Sequence, residues 1–293
     1  MNNENLNKLI TESLAIEAEA AKEAGKLGFM ARALVQATLP HSKIEGNEFE
    51  RTNGAFKLSM LAPSSVGLPY GNIPRLLVSW LTTEAVKTRS REIVLGETLS
   101  HFMGELDMVP TGGRWGSITR LRDQMTRLFS CLVSCSYTGN DMTGIRNILI
   151  ADEANLWWSP KHPDQAALWQ SSVTLSERFF SEVIENPVPV DIRALKALRR
   201  SPMALDIYCW LTYRLSYLNK QTNIPWPALQ AQFGANYATD AKGVRNFKLK
   251  FLQALKKVQV VYPDARVEDG GQTLVLKPSP THIPKLYNLK SGG

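Results

Sequence analysis

Hydrophobic and polar positions along residues 70–158 follow one succession of patterns. Between residues 73 and 85 the apolar positions recur at the three- and four-residue spacing of an amphipathic helix: Ile73, Leu76, Leu77, Trp80, Leu81 and Ala85. A short β-branched run follows at 91–96, then a short helical pattern at 97–106, a Gly-rich turn and a longer helical pattern at 117–129. Residues 131–158 alternate apolar and polar positions around a Thr-Gly-Asn-Asp turn, which indicates a β-hairpin.

The same order of patterns recurs in the second half of the chain. A helix that begins at Ser201-Pro202 is followed by a short helix that starts near Pro227 and ends before Gly234. A third helical pattern covers 244–258, and a hairpin with Asp-Gly-Gly at its tip comes after it. The tripeptide Trp-Leu-Thr also occurs in both first helices, at 80–82 and at 210–212. We interpret the two segments as copies of one duplicated module.

Each module has a short helix, a tight turn and a second helix with a hairpin after it, which is the order of a winged helix-turn-helix. Residues 6–39 are rich in Ala, Glu and Lys and favour one or two helices, whereas residues 40–68 favour a loop with a short strand around 55–61. We therefore predict an α+β fold that is mainly α, with two tandem winged-helix domains. The predicted organisation is an N-terminal helical extension and linker at 1–60, winged-helix domains at 61–188 and 189–287, and a tail at 288–293.

The third helix of the second module separates apolar from basic residues. Its apolar positions share one face: Val244, Phe247, Phe251, Leu255 and Val258. The run 242–257 contains six basic residues and no acid, whereas solvated helices usually mix Glu with Lys. A face of one charge repels itself, and the phosphates of DNA would relieve that repulsion. The predicted DNA contacts on this helix are Lys242, Arg245, Asn246, Lys248, Lys250, Gln253 and Lys257. A solvated basic face is the alternative.

The third helix of the first module has a weaker DNA-binding pattern. Its apolar stripe is Ile118, Leu121, Met125, Leu128 and Phe129. Asp123 reduces the net positive charge of the helix. The predicted auxiliary DNA contacts lie on the other side of the helix and in the preceding turn: Arg114, Ser117, Arg120, Gln124 and Arg127. This domain is also predicted to mediate dimerisation.

Two further groups of residues are candidates for nucleic-acid contacts. Arg266 and Lys277 flank the second hairpin, and we predict both as phosphate contacts, with ordinary solvation as the alternative. Trp157, Trp158 and Trp169 would suit a stacking platform for single strands, but we favour packing at a domain seam.

The overall charge of the chain favours a polyanionic partner. The formal net charge is +7 and the pI is about 9.3. An apolar fraction of 44% and a charged fraction of 21% are typical of a folded protein. We find no run of about 18 apolar residues and no secretory signal pattern, so we expect no membrane span and a cytoplasmic location.

No motif in the sequence indicates catalysis or metal binding. There is no P-loop, no H-E-x-x-H and no G-x-S-x-G. We interpret the cysteines as small buried hydrophobes, because no His lies near them to complete a zinc site: Cys131, Cys135 and Cys209. The histidines are far apart along the chain: His41, His101, His162 and His282. We therefore predict that the protein is not an enzyme and binds neither a cofactor nor a metal.

Several stretches of the sequence resemble one protein family. They lie at 68–96, 110–129, 194–218, 224–234 and 262–284. Together they resemble the plasmid-encoded RepA family of theta-type plasmid replication initiators. The resemblance implies a protein that binds short repeated sites, or iterons, in a replication origin and starts plasmid replication. It also implies that dimers repress their own gene, that monomers open the origin, that the host initiator and replicative helicase are recruited, and that nuclease and ATPase activities are lacking.

Three alternative functions remain open from the sequence. A transcription regulator of the same fold without initiator activity would carry the same basic helix. A DNA-processing enzyme with an unrecognised site and a purely protein-binding scaffold are the others, and the acid-free helix disfavours the scaffold.

Overall fold

The computed structural model describes residues 26–138, 143–166, 170–234 and 237–283. Of these residues 41% are helical and 24% lie in strands, so the predicted mixture of α and β structure is confirmed. The chain divides into two compact units. Among the described residues, the first unit covers the range 28–187 and residues 231–234, and the second unit covers 188–230 and 237–283 with residues 26–27.

The helices and strands alternate along the chain. The helices are α1 Arg32–Gln36, α2 Asn72–Thr88, α3 Leu99–Glu105, α4 Ser117–Phe129, α5 Glu177–Glu185, α6 Ile192–Leu198, α7 Pro202–Leu215, α8 Trp226–Phe233 and α9 Ala241–Val261. The strands are β1 Leu27–Ala31, β2 Glu48–Asn53, β3 Phe56–Leu61, β4 Glu92–Val94, β5 Leu132–Thr138, β6 Thr143–Leu149, β7 Ala151–Asn155, β8 Ser172–Leu175, β9 Pro187–Asp191, β10 Thr222–Pro225, β11 Val267–Asp269 and β12 Thr273–Leu276.

The chain contains the same succession of elements twice, each time with a three-stranded antiparallel sheet. In the first succession α2, β4, α3 and α4 are followed by β7 and β8 after the intervening strands β5 and β6, and the sheet order is β4-β8-β7. In the other succession α7, β10, α8 and α9 are followed by β11 and β12, and the order is β10-β12-β11. The last strand is central in both sheets. The two Trp-Leu-Thr tripeptides lie in α2 and α7, the first helix of each succession.

Helix α2 forms the core of the first unit. It packs against α4 and α5, and Leu77 and Leu81 are completely buried, as is Leu121 of α4. The helix ends at Thr88 and is capped by Arg89, which has a left-handed φ of 55° and donates its N–H to the carbonyl of Ala85. Because α2 is covered on almost every side, its sequence is apolar rather than strongly amphipathic.

The hairpin predicted at 131–158 forms, but its sheet is not the one that contains β4. Strands β5 and β6 join β2 and β3 in a four-stranded antiparallel sheet of order β2-β3-β5-β6. Leu58, Met60 and Val133 are buried on one face of this sheet. The strands that accompany β4 are β7 and β8 instead. The predicted strand around 55–61 is confirmed as β3, whereas β2 was not predicted.

The predicted N-terminal helical region lies partly outside the described residues, which begin at Lys26. In the described part, β1 is followed by α1, which has five residues, so the helical prediction for 26–39 is wrong except at α1. The backbone of Phe29 is held in an extended form, because its N–H donates to the Thr83 hydroxyl and its carbonyl accepts from the Ser79 hydroxyl. These bonds to α2 override the helix propensity of the segment.

The core of the second unit lies between α7 and α9. Tyr208 of α7 and Phe247 and Phe251 of α9 are completely buried. The predicted Ser-Pro start of α7 is confirmed, since the Ser201 hydroxyl accepts the N–H of Ala204. In the part of the chain that the structure describes, no helix has the length and apolar character needed to cross a membrane.

Candidate nucleic-acid interface

Helix α9 starts from a turn whose geometry is fixed by close contacts. The Asp240 carboxylate accepts the N–H of Gly243 at 2.6 Å. Gly243 is required because a Cβ at this position would lie 1.8 Å from the carbonyl oxygen of Ala238. The Gln230 side chain of α8 donates to the same carbonyl at 2.8 Å. The first turn of α9 is therefore held in one position relative to the end of α8.

The inner face of α9 is apolar, as its period predicted. Phe247, Phe251 and Val258 are completely buried. The Phe251 ring meets the Trp226 ring edge-on, with centroids 5.7 Å apart. Tyr237 meets Phe247 in the same manner at 5.6 Å. These contacts fix the rotation of α9 and therefore decide which residues point outward.

The outer face of α9 is polar, basic and without acids. Its exposed side chains are Lys242, Arg245, Asn246, Leu249, Lys250, Gln253 and Lys256, and Lys257 is half-buried beside them. Within the described residues the polar members of this group make neither ion pairs nor side-chain hydrogen bonds. This face therefore presents positive charge that no acid among the described residues compensates, together with the amide side chains of Asn246 and Gln253.

Lys248 has a different role from the predicted DNA contact. Its ammonium lies 2.8 Å from the Asp269 carboxylate and donates to the Gly271 carbonyl at 2.7 Å. It also lies 5.1 Å from the centre of the Trp226 ring, whose N–H donates to the same Gly271 carbonyl. The charge of Lys248 is thus compensated, and we assign this side chain to holding the β11–β12 hairpin against α9.

The two predicted contacts on the hairpin differ in their surroundings. Lys277 pairs with Glu268 across the strands at 2.6 Å, although both side chains are largely exposed. The Arg266 side chain is exposed and has no partner in the described part of the chain. Arg266 is therefore the more available of the two cations, since an ion pair would have to be broken to free Lys277.

Two of the predicted contacts on α4 are buried. The Ser117 hydroxyl donates to the Val109 carbonyl at 2.6 Å and accepts the N–H of Thr111. The Gln124 side-chain oxygen accepts the N–H of Tyr70 at 2.9 Å. The prediction that Ser117 and Gln124 lie on the outward side of α4 is wrong, because both serve as hydrogen-bond partners for backbone groups of neighbouring loops.

Arg127 is also engaged within the first unit. Its guanidinium pairs with Asp123 at 2.8 Å, lies over the Tyr70 ring and donates to the Leu68 carbonyl. Only 15% of its side chain is exposed, so we assign Arg127 to packing. Arg114 and Arg120 are exposed, as predicted, and Arg122 is a third exposed arginine in this region that the sequence analysis did not select.

The turn before α4 presents an exposed tryptophan. Trp115 is 80% exposed, and the Arg114 guanidinium lies 5.1 Å from the centre of its ring. The turn is tightly closed: a Cβ on Gly116 would lie 2.2 Å from the Thr111 carbonyl oxygen. The Thr119 hydroxyl donates to the Gly113 carbonyl from inside α4. Sequence reasoning missed Trp115, although its neighbours Gly113, Arg114 and Gly116 mark a turn.

The predicted aromatic and cysteine residues mostly pack inside the units. Trp158 is buried and stacks on Phe102 at 5.1 Å, whereas Trp157 is 56% exposed and Trp169 lies outside the described residues. Cys131 and Cys209 are buried. Burial raises the pKa of Cys131 to about 12, which keeps its thiol protonated and unreactive. Among the described residues no group of His, Cys, Asp and Glu side chains is arranged to hold a metal ion.

A cavity of about 400 Å³ lies elsewhere in the first unit, between α1, α5 and the β5–β6 hairpin. Glu182 is the acidic residue of its lining, and its carboxylate lies 3.5 Å from Arg32 and 3.8 Å from Arg146. Burial raises the pKa of Cys135 in its wall to about 11, with a further contribution from Glu182. The cavity lining has two arginines and one carboxylate, so it keeps a net positive charge, and its thiol is not activated.

Two solved structures with a similar fold are both of the protein RctB. A crystal structure of domains 2 and 3 of RctB, in selenomethionine form, aligns with 84% of this chain and 98% of its own, with a TM-score of 0.53 and 11% identity. Another, of RctB residues 155–483, aligns with 84% of this chain and 96% of its own, with a TM-score of 0.48 and 11% identity. The former similarity shows a shared fold.

The sequence itself identifies the family. The family described as plasmid-encoded RepA protein matches residues 68–227, from just before α2 to the start of α8. The chain therefore belongs to the plasmid-encoded RepA family of replication initiators, as the resemblance predicted. No curated protein sequence matches the chain significantly. The family match ends before α9, so the basic outer face lies beyond the matched residues.

Proposed function

We propose that this protein initiates plasmid replication by binding repeated double-stranded sites in a replication origin, and that both successions of elements are winged helices. The observation that carries the proposal is the outer face of α9, which is exposed, basic and free of acids. Membership of the plasmid-encoded RepA family supports the role in replication. The repeated order of helices and strands, with the last strand central in each sheet, supports the winged-helix assignment.

In this proposal α9 enters the major groove of the duplex. Four cations of this face that have no partner among the described residues contact phosphates: Lys242, Lys250, Lys256 and Lys257. Arg245, Asn246 and Gln253 have the side chains that form bidentate contacts with guanine or adenine edges. Arg266 of the hairpin adds a phosphate contact, and Arg114 and Arg120 of the first unit supply a weaker second contact. Both units then bind the same origin site, and the second unit binds it more tightly than the first.

The proposal includes the partners and properties implied by the family resemblance. The protein exchanges between monomer and dimer, and it recruits the host initiator and the replicative helicase. It has no catalytic activity of its own, so binding energy is used to recognise and distort the duplex. Incubation of supercoiled plasmid with protein and magnesium tests this last part, because a nicked product would reveal a DNA-processing enzyme.

The test of the interface is a salt titration with Lys250→Ala. Each phosphate contact contributes about 0.9 to the slope of log affinity against log salt concentration. Lys250→Ala should therefore reduce the slope by about one unit and weaken binding to all duplexes alike. The measurement is fluorescence anisotropy with duplex DNA from beside the protein's own gene and with a scrambled duplex.

Lys43→Ala is the matched control, because Lys43 is an exposed lysine of the first unit that lies outside the proposed interface. It removes the same charge and should leave the slope unchanged. An unchanged slope for Lys250→Ala would remove this residue from the interface. A preference of roughly a thousandfold for the gene-adjacent duplex would indicate specific recognition.

A transformation assay separates an initiator from a transcription regulator. A selectable DNA circle that lacks its own origin is joined to the gene and its flanking sequence. Stable transformants are expected with the intact gene and not with a Lys250→Ala, Arg245→Ala double variant. Specific DNA binding without transformants would favour the regulator.

A further inference from the structure

One apolar side chain lies exposed in the middle of the polar face of α9. Leu249 is 57% exposed, although the other leucine of this helix turn, Leu252, is half-buried. At the helical period, Leu249 lies one turn from Asn246 and one turn from Gln253 on the same face. Lys242 and Lys256 lie on this face two turns before and two turns after Leu249.

Leu249 has no evident role in the fold. The core of the second unit lies on the opposite face of α9, where Phe247, Phe251 and Val258 are completely buried. Leucine is a good helix former, but so are the Lys, Gln and Glu residues that would keep this face polar. A bulky apolar side chain surrounded by amides and cations therefore points to a partner that offers an apolar group among polar ones.

The major groove of DNA offers one such group. Among the base edges in that groove only thymine carries a methyl group, and the other edges carry hydrogen-bond donors and acceptors. Phosphates give an aliphatic side chain no hydrogen bond. We propose that Leu249 contacts the 5-methyl group of a thymine, and that Asn246 or Gln253 contacts an adjacent adenine. Leu249 is then a specificity residue that selects A·T pairs at the centre of the site. This inference rests on the proposed function.

The experiment uses the full chain and removes the methyl group from the DNA alone. A duplex is first selected by the wild-type protein from a randomised pool. Each thymine of the selected duplex is then replaced in turn by deoxyuridine, which differs only in lacking the 5-methyl group. Affinities are measured by fluorescence anisotropy at one salt concentration for the wild-type protein and for Leu249→Ala.

The wild-type protein should bind about fourfold more weakly when one particular thymine loses its methyl, which is the effect of burying one methyl-sized group. Leu249→Ala should bind the thymine and uracil forms of that position equally, and should keep its sensitivity at other positions. Leu61→Ala is the control, because Leu61 is a 46% exposed leucine of the four-stranded sheet. It should retain the wild-type pattern.

Three outcomes would overturn the inference. The wild-type protein could be insensitive to uracil at every position, a result that needs no variant and no assumption about its folding. Leu249→Ala could retain the full pattern of sensitivity. Leu249→Ala could instead change the oligomeric state with no effect on uracil sensitivity, which would assign the leucine to contact with a second copy. Failure to recover any duplex from the pool would refute the proposed function itself, and a recovered duplex with no methyl effect would refute only this inference.

Discussion

Lys248→Met separates a lysine that holds the hairpin from a lysine that is proposed to contact DNA. The ammonium of Lys248 pairs with Asp269, bonds to the Gly271 carbonyl and lies against the Trp226 ring. Methionine keeps a flexible apolar stem over the ring but loses the charge and its hydrogen bonds. The substitution should therefore lower the free energy of unfolding and loosen the hairpin, while the number of phosphate contacts stays the same.

The expected loss in free energy of unfolding depends on how exposed the Lys248–Asp269 interaction is. Hydrogen bonds to charged groups contribute about 1.5–3 kcal/mol when well buried, and exposed ion pairs contribute about 0–1 kcal/mol. The side chains of Lys248 and Asp269 are 24% and 34% exposed, so they lie between these cases. With a cation–π contribution of about 0.5–1 kcal/mol added, and allowance for solvent screening, we expect a loss of about 1–2 kcal/mol.

Two measurements on the variants Lys248→Met and Lys250→Met test this reasoning. Urea denaturation followed by circular dichroism gives the free energy of unfolding, and anisotropy at several salt concentrations gives the slope for DNA binding. Lys248→Met should lose stability and keep the slope, whereas Lys250→Met should keep stability and lose about one unit of slope. A reduced slope with unchanged stability for Lys248→Met would refute the assignment and restore Lys248 to the DNA interface.

Two further predictions concern the second unit. Gly243→Ala should lower the free energy of unfolding by at least about 1 kcal/mol, because its Cβ would lie 1.8 Å from the Ala238 carbonyl oxygen. The control in the same urea titration is Gly112→Ala, whose Cβ would meet no atom within 4 Å, and equal effects of the two substitutions would contradict the close approach at Gly243. His282 lies beside Tyr208, with Asp191, Arg193 and Asp264 as the nearby charged groups, and burial lowers its pKa below the ordinary 6.5. As the pH falls below 6.5 the unfolded chain takes up a proton at this position before the folded chain does, so the stability of the protein should decrease from about pH 7 to about pH 5. His282→Gln should flatten this part of the urea-derived stability curve, and an unchanged curve would show that other groups determine it.

The sequence predicted the elements that depend on local periodicity. The apolar stripe of α9 follows the helical period, so burial of Phe247 and Phe251 and exposure of Lys250 could be predicted without knowing what covers them. The duplicated order of elements was predictable for the same reason, since each helix start and hairpin turn has its own local pattern.

The features that could not be predicted depend on partners distant in the sequence. Alternating residues in β5 specify which side chains share a face, but they do not specify that β3 rather than β4 is in the same sheet. Ser117 and Gln124 are polar and fall on the polar side of the pattern of α4, yet each is buried by bonding to backbone groups of a loop. Lys248 and Lys250 are the same type of residue on the same helix. Only the position of the hairpin, whose Asp269 and Gly271 bind Lys248, distinguishes them.

The pairing of β3 with β5 also determines the order in which the protein can fold during its synthesis. The β2–β3 hairpin leaves the ribosome first, but β5 follows only after α2, α3 and α4 have been made. Until then Leu58 and Met60 of the hairpin lack the strand that completes their buried face. Non-local pairing of this kind raises contact order and slows folding. The nascent chain therefore exposes an incomplete apolar sheet while α2, α3 and α4 are being synthesised, and aggregation or chaperone binding would act on it during this interval.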